Sequence, residues 1–209
     1  MTKRCFLKKK QVHASEQKRE DVEESRKEWQ ENQKSMIAEK LVFLDESGVN
    51  IGMTRRYGRA RGKNRVHDYA VQSKPKKTTL LSSVRLDGTQ AYEFFQGSLT
   101  GDIFLNYVKN TLVPTLHKGD IVVMDNLNCH KVKGVKEAIE AVGASVLYLP
   151  PYSPDLNPIE MMWSKMKAVL RKWKADSLDL LHSCIPAAFS SVSTQDIQGW
   201  FLASGYCLS

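Results

Sequence analysis

Short unbroken apolar runs punctuate this chain, separated by longer stretches in which apolar residues recur every three or four positions. Leu41 to Leu44 (LVFL) and Ile121 to Met124 (IVVM) are continuously apolar, as expected of strands buried on both faces. Val146 to Leu149 reads the same way, and Lys77 to Leu86 (KTTLLSSVRL) is rich in residues that suit a pleated surface. Gly48 and Gly52 bracket a further short strand, and Asp87-Gly88 is a turn signal after which AYEFFQG resumes extended structure. Helical spacing takes over at Gly101 to Leu116, through Ile103, Phe104, Tyr107, Val108 and Leu112, and again at Val132 to Val142. The segment PPYSPDLNP holds too many prolines for strand or helix and reads as a loop. A helix starts at Pro158, with Asn157 as N-cap and Ile159, Met162, Trp163, Met166, Leu170 and Trp173 at helical spacing. Two shorter helices, near Leu178 to Phe189 and Thr194 to Phe201, finish the chain. A meander of strands, followed by strands alternating with helices, predicts an α/β fold in which helices cover both faces of a mixed sheet.

Residues 1–39 depart from that pattern. From Ala14 to Lys40 the chain is highly charged, free of Gly and Pro, and built from good helix formers. Val22, Trp29 and Met36 fall seven apart, with Ile37 beside the last, and make one narrow apolar stripe. Such a helix either docks its stripe on the core or dimerises. The predicted division is an N-terminal basic segment and polar helix (1–39), followed by the main domain (40–209).

A length of 209 residues with 42% apolar content is enough for one domain with a substantial core. The net charge of +8 points to a polyanionic partner without separating DNA, RNA and acidic membrane surface. Cys5, Cys129, Cys184 and Cys207 lie far apart, with no metal-binding pair, and read as reduced thiols. The basic N-terminus lacks the apolar segment of a signal peptide, and no apolar run approaches the ~18 residues that span a bilayer. The expectation is a soluble cytoplasmic protein.

Three acids stand at informative places. Asp45 follows LVFL, Asp125 follows IVVM, and Glu160 lies in the first turn of the helix after the proline loop. Carboxylates at the carboxyl ends of internal strands point into the crevice where open α/β sheets take their ligands. A third acid from an adjacent helix would make an oxygen-only set suited to Mg²⁺ or Mn²⁺, because like charges so close call for a cation. Each acid also has an ordinary reading: Asp45 can cap a turn at Ser47-Gly48, and Glu160 can merely favour the helix dipole.

LDESG, MDNLNCHK and LPPYSPDLNPIE, in that order, resemble the catalytic signatures of mariner-type DDE transposases, in the branch found in bacterial insertion sequences. Thirty-four residues separate Asp125 from Glu160, which is similar to that branch, and MTRRYGRARG and the final GY resemble it too. The resemblance runs from about Leu41 to the end. It implies a ribonuclease H-like sheet of five strands, with Asp45, Asp125 and Glu160 as the catalytic triad and metal ligands. It also implies two Mg²⁺ ions ~3.5–4 Å apart, with Mn²⁺ able to substitute. The implied chemistry is hydrolysis at transposon ends, then attack of the freed 3′-hydroxyl on target DNA, commonly at TA.

Around this centre lie expected contacts to double-stranded DNA. Arg55, Arg56, Arg59, Arg61 and Lys63 belong to a dense basic stretch that continues through Arg65, Lys74, Lys76 and Lys77. Lys167 and Arg171 lie on the Glu160 helix with Lys165, Lys172 and Lys174, and Asn126, His130 and Lys131 follow the second aspartate. Either basic set can be a solvated face, and the asparagines can be turn formers. Asp155 reads as a turn initiator, Glu46 as solvent-facing, and Tyr152 as a packed loop residue or a base-stacking one. Only about forty residues precede Asp45, too few for the helix-turn-helix modules that the resemblance implies. The expectation is a DNA-binding portion supplied by frameshifting or a separate chain, and a homodimer on DNA. The competing reading is a truncated, non-catalytic regulatory fragment.

Overall fold

The computed structural model describes residues 15–55, 58, 60, 65–69 and 77–208. Five strands, β1 (Leu41–Asn50), β2 (Lys77–Arg85), β3 (Tyr92–Gln96), β4 (Ile121–Met124) and β5 (Ser145–Tyr148), form one mixed sheet in the order β3-β2-β1-β4-β5. β1, β2 and β3 run as an antiparallel meander, whereas β4 and β5 are parallel to β1. The helices are α1 (Glu20–Gln33), α2 (Gly101–Tyr107), α3 (Val135–Glu140), α4 (Pro158–Trp173), α5 (Leu178–Ser190) and α6 (Thr194–Ala203).

The period-two alternation of strand side chains divides the interior into two cores. Leu41, Phe43, Leu80 and Val123 face α4, α5 and α6, whose Ile159, Met162, Trp163, Ile185 and Phe201 complete one cluster. Val42, Leu44, Leu81, Val122 and Met124 face the other way, onto Phe104, Tyr107, Leu112 and Ile139. Strands apolar at every position therefore belong to a sheet covered on both sides.

The structure revises several expected boundaries. The short strand predicted between Gly48 and Gly52 does not exist separately, because β1 runs on to Asn50 along β2, burying Val49. The predicted helix from Gly101 to Leu116 is α2 followed by a π-type turn, Val108–Leu112, and a 3-10 turn, Val113–Thr115. α3 starts only at Val135, after Gly134 at φ 99°, a left-handed backbone that glycine adopts without cost. The N-terminal helix ends at Gln33 and docks its stripe: Val22 and Trp29 are buried and Met36 partly so, while Ile37 is exposed. Gln33 Nε2 also donates to Ser204 O at 2.7 Å, tying α1 to the C-terminal turn. There Tyr206 packs on Phe43 (5.0 Å between centroids) and its hydroxyl donates to Leu156 O at 2.9 Å, bracing the loop that leads into α4.

Candidate active site

The parallel register pairs Leu41 with Ile121 and Phe43 with Val123. Continued two residues, it sets Asp45 level with Asp125 and on the same face, the one covered by α4. Asp45 does not end its strand as the sequence suggested. It lies where β4 stops beside it while β1 continues along β2, so the edge of β1 opens into a cleft at that level. Glu160, in the first turn of α4, enters the same cleft, which has a volume of about 470 Å³. Asp45, Asp125, Glu160, Asn157 and the loop Leu149–Pro154 line it.

Each acid sits in a different environment. Asp45 is 8% exposed; its Oδ1 accepts from Glu46 N (2.8 Å) and its Oδ2 from Trp163 Nε1 (3.3 Å). Burial, then Glu160, Glu46 and Asp125, push its carboxyl well above the usual range. Asp125 is the reverse case: desolvation raises it, but His130 and the Leu127 N–H (3.0 Å) outweigh that and hold it low. Glu160 is more open to solvent. Its partial desolvation raises it, Lys167 opposes, and Asp125 and Glu46 add to the rise.

His130, expected to contact DNA, is fully buried against the Phe104 ring (4.4 Å) and offers no edge to a ligand. Its Nδ1 lies 2.7 Å from Asp125 Oδ1 and its Nε2 3.2 Å from Glu46 Oε2. Both approaches are too oblique for aligned hydrogen bonds, so the contacts are chiefly ionic. Glu46 therefore does not simply face solvent. The two-residue period turns it to the opposite face from Asp45, toward α2 and His130. Burial lowers the imidazolium pKa, but the two carboxylates outweigh it and push it up to about 9. A raised histidine contributes stability that is full below its ordinary value of about 6.5 and is lost as pH rises through about 9. In EDTA, stability to urea is expected to fall more steeply across that window in the wild type than in His130→Gln, which keeps only the loss due to Asp45. Parallel profiles would remove the ionic assignment.

The donor set fits a hard divalent cation: three carboxylates, joined on the cleft wall by Asn157, whose Oδ1 is buried without a hydrogen-bond partner. Asn157 holds the N-cap position as expected, but its side chain makes no capping bond. Among the described residues no group of three His, Cys, Asp or Glu side chains is placed closely enough to hold a metal ion. Trp163 holds Asp45 and His130 holds Asp125, an arrangement in which like charges are kept apart.

The expected DNA contacts divide. Asn126 is exposed but its Nδ2 donates to Leu149 O at 2.6 Å, binding the β4 end to the β5 end. Lys131 is exposed, its Nζ 5.1 Å from the Tyr148 ring centroid. Arg55 is exposed, whereas Arg56, Arg59, Arg61 and Lys63, with Lys74 and Lys76, lie outside the described residues. On α4, Glu160, Lys167 and Arg171 share one face by helical spacing. Lys165 and Lys174 are less available, being paired with Asp196 and Asp68. Nothing in the apolar spacing of α4 distinguished Trp163 as a donor to Asp45, and the link between Arg26 and the cleft loop had no local signal.

Residues 40–182 match the family described as DDE superfamily endonuclease, and the chain belongs to it. No curated protein matches in sequence. Among solved structures, the chain is similar to the mariner Mos1 paired-end complex with Mg: TM-score 0.77, 17% identity, 95% of this chain and 63% of that one covered. The crystal structure of the catalytic domain of Mos1 mariner transposase gives TM-score 0.65 at 16% identity, covering 91% of this chain and 90% of that one. A pre-cleavage Mos1 transpososome gives TM-score 0.74 at 16% identity, covering 99% and 69%. The fold is thus that of the Mos1 catalytic domain, the ribonuclease H-like α/β arrangement expected from the resemblance. The chain spans 62% of the length of Mos1 transposase in its complex with the left transposon end. No helix among the described residues is long and apolar enough to cross a membrane.

Proposed function

We propose that this chain is the catalytic unit of a metal-dependent DNA transposase of the mariner type, from a bacterial insertion sequence. It hydrolyses phosphodiesters at transposon ends and joins the freed 3′-hydroxyl to target DNA, commonly at TA. The observation that carries this reading is the shared cleft of Asp45, Asp125 and Glu160 on a DDE endonuclease sheet. Those three side chains would hold two Mg²⁺ ions, or Mn²⁺ in their place, which would supply Lewis-acid stabilisation to the reacting phosphodiester. Trp163 and His130 orient the carboxylates, and the apolar wall Leu149–Pro151 limits water in the cleft. Lys167 and Arg171 on α4, with Asn126, Lys131 and the basic stretch Arg55, Arg56, Arg59, Arg61 and Lys63, take DNA phosphates independently of sequence. The protein works in the cytoplasm as a homodimer on DNA, with a helix-turn-helix portion fused by frameshifting or carried by another chain, and residues 1–39 serve as the linker to it.

A supercoiled plasmid incubated with the protein tests this. Wild type is expected to convert it to the nicked form with Mn²⁺ and not with EDTA, and Asp125→Ala to leave it intact. Absence of nicking by wild type, or equal nicking by the variant, ends the enzyme reading in favour of a non-catalytic fragment.

A further inference from the structure

The loop from Pro150 to Pro154 forms one wall of the catalytic cleft, and α1 holds it from outside. Arg26, in the middle of α1, aims a forked guanidinium at it. Nη1 donates to Ser153 Oγ (2.7 Å) and Asp155 Oδ1 (3.0 Å), and Nη2 to Asp155 Oδ2 (2.7 Å). Nη1 also reaches Tyr152 O at 3.5 Å, and the same carbonyl accepts from Gln17 Nε2 at 2.5 Å, just before α1. Two planar donors on one carboxylate is a geometry that arginine supplies and lysine does not.

What these contacts hold is a disfavoured backbone. Tyr152 has φ 54°, in the left-handed region that residues carrying a Cβ rarely adopt. The residue is 47% exposed, so burial does not explain the conformation. Such a residue persists only where its surroundings over-determine it. Here the surroundings are the donors on its carbonyl, with Ser153 Oγ further bridged to Pro151 O at 3.1 Å. The loop passes straight into Asn157 and the first turn of α4, so its path sets where Glu160 enters the cleft. The Arg26–Asp155 pair is partly open, with side chains 15% and 39% exposed. Among the described residues every partner of this fork lies in the short segment 152–155, so its loss acts first on the path of the loop.

We infer that Arg26 is a positioning residue: through Tyr152 O, Ser153 and Asp155 it fixes the cleft loop and thereby Glu160, making α1 a working part of the active site. The catalytic consequence rests on the transposase reading above; the ordering of the loop does not.

The test uses the full 209-residue chain as wild type, Arg26→Ala, Arg26→Lys and Arg26→Ala/Asp155→Ala. Hydrogen exchange at the Leu156 and Asn157 amides, which donate to Ser153 O and Pro154 O, is expected to quicken at least ~10-fold in Arg26→Ala, beyond any change in global stability. Single-turnover nicking with Mn²⁺ falls at least ~10-fold while DNA affinity holds, as misplacement of a catalytic group requires. Arg26→Lys restores only part of either property, and the double variant is no slower than Arg26→Ala. Unchanged exchange in Arg26→Ala overturns the clamp, and unchanged nicking by it overturns the positioning role. If wild type does not nick at all, the transposase reading fails alone, and the exchange comparison still decides the clamp.

Discussion

Asp45→Asn is expected to lower Mn²⁺-dependent nicking by at least ~10³-fold while raising the melting temperature of the metal-free protein. The loss of activity follows from removing one carboxylate of the proposed metal set. Lewis-acid stabilisation of this kind supplies several kcal/mol, and each ~1.4 kcal/mol is a factor of ten in rate. The gain in stability follows from where the charge is buried. Asp45 is 8% exposed and close enough to Glu160, Glu46 and Asp125 to be raised by each. A raised carboxyl contributes stability that is full below its ordinary value of about 3.9 and is lost as pH rises through its folded value. Metal-free wild type should therefore weaken as pH climbs above about 4, and Asp45→Asn should lack that loss, keeping only the one above about pH 6.5 that His130 brings to both proteins. Asparagine can still accept from either Trp163 Nε1 or Glu46 N, so the substitution costs about one ordinary hydrogen bond, ~1 kcal/mol. Saturating Mn²⁺ should reverse the order: binding only the native state at 100 times its Kd adds about 2.7 kcal/mol, and the variant cannot use it. Thermal scans in EDTA and in Mn²⁺ across pH 4 to 8 decide the matter. A variant less stable than wild type in EDTA, or equally shifted by Mn²⁺, contradicts the account.

The two ends of β4 show why part of the site was legible in the sequence and part was not. IVVM is unmistakably a buried strand, and Asp125 after it drew attention as a carboxylate at a strand's carboxyl end. Asp120 stands as close to the other end and drew none, because its role depends on Arg85, thirty-five residues away on β2. The same holds elsewhere. The unbroken apolar run LVFL predicts burial on both faces, but not that β1 continues past Asp45, since that is decided by pairing with β2. Glu46 looked solvent-facing because its partner His130 arrives from beyond β4. The α4 spacing located Trp163 in the core without showing that its N–H meets Asp45. Periodicity reports which face a residue takes; only tertiary contact reports what waits there. The polar N-terminal helix left docking and dimerisation open for the same reason, since its stripe of Val22, Trp29 and Met36 suits either partner.

Asp120→Ala is expected to destabilise the fold by about 3–5 kcal/mol, the usual cost of removing one partner from a buried ion pair. Asp120 is wholly buried and Arg85 nearly so; Nη1 lies 2.5 Å from Oδ2 and Nη2 3.2 Å from Oδ1. Asp120 Oδ2 also accepts from His117 N at 2.7 Å, and Arg85 Nη1 donates to Thr115 O at 3.3 Å. Truncation leaves a buried guanidinium beneath the sheet with only Thr115 O and, at 4.0 Å, the exposed Asp87 carboxylate, which is worse than having no pair at all. The double variant Arg85→Met/Asp120→Leu should consequently cost less than Asp120→Ala, because apolar side chains of similar size need no partner. Desolvation raises the Asp120 carboxyl, but Arg85 and the His117 N–H outweigh it and hold it below its ordinary range. Its contribution is thus present above about pH 3.9 and is lost as pH falls through the depressed value, steepening acid unfolding of the wild type alone. Asp120 lies roughly 16 Å along β4 from Asp125, five strand residues at ~3.3 Å each, so nicking per folded molecule should not change. Urea titrations at neutral and acid pH measure all of this. A cost for Asp120→Ala below ~1 kcal/mol, the range of exposed pairs, would mean that water reaches the pair and that this end of the sheet is held by packing alone.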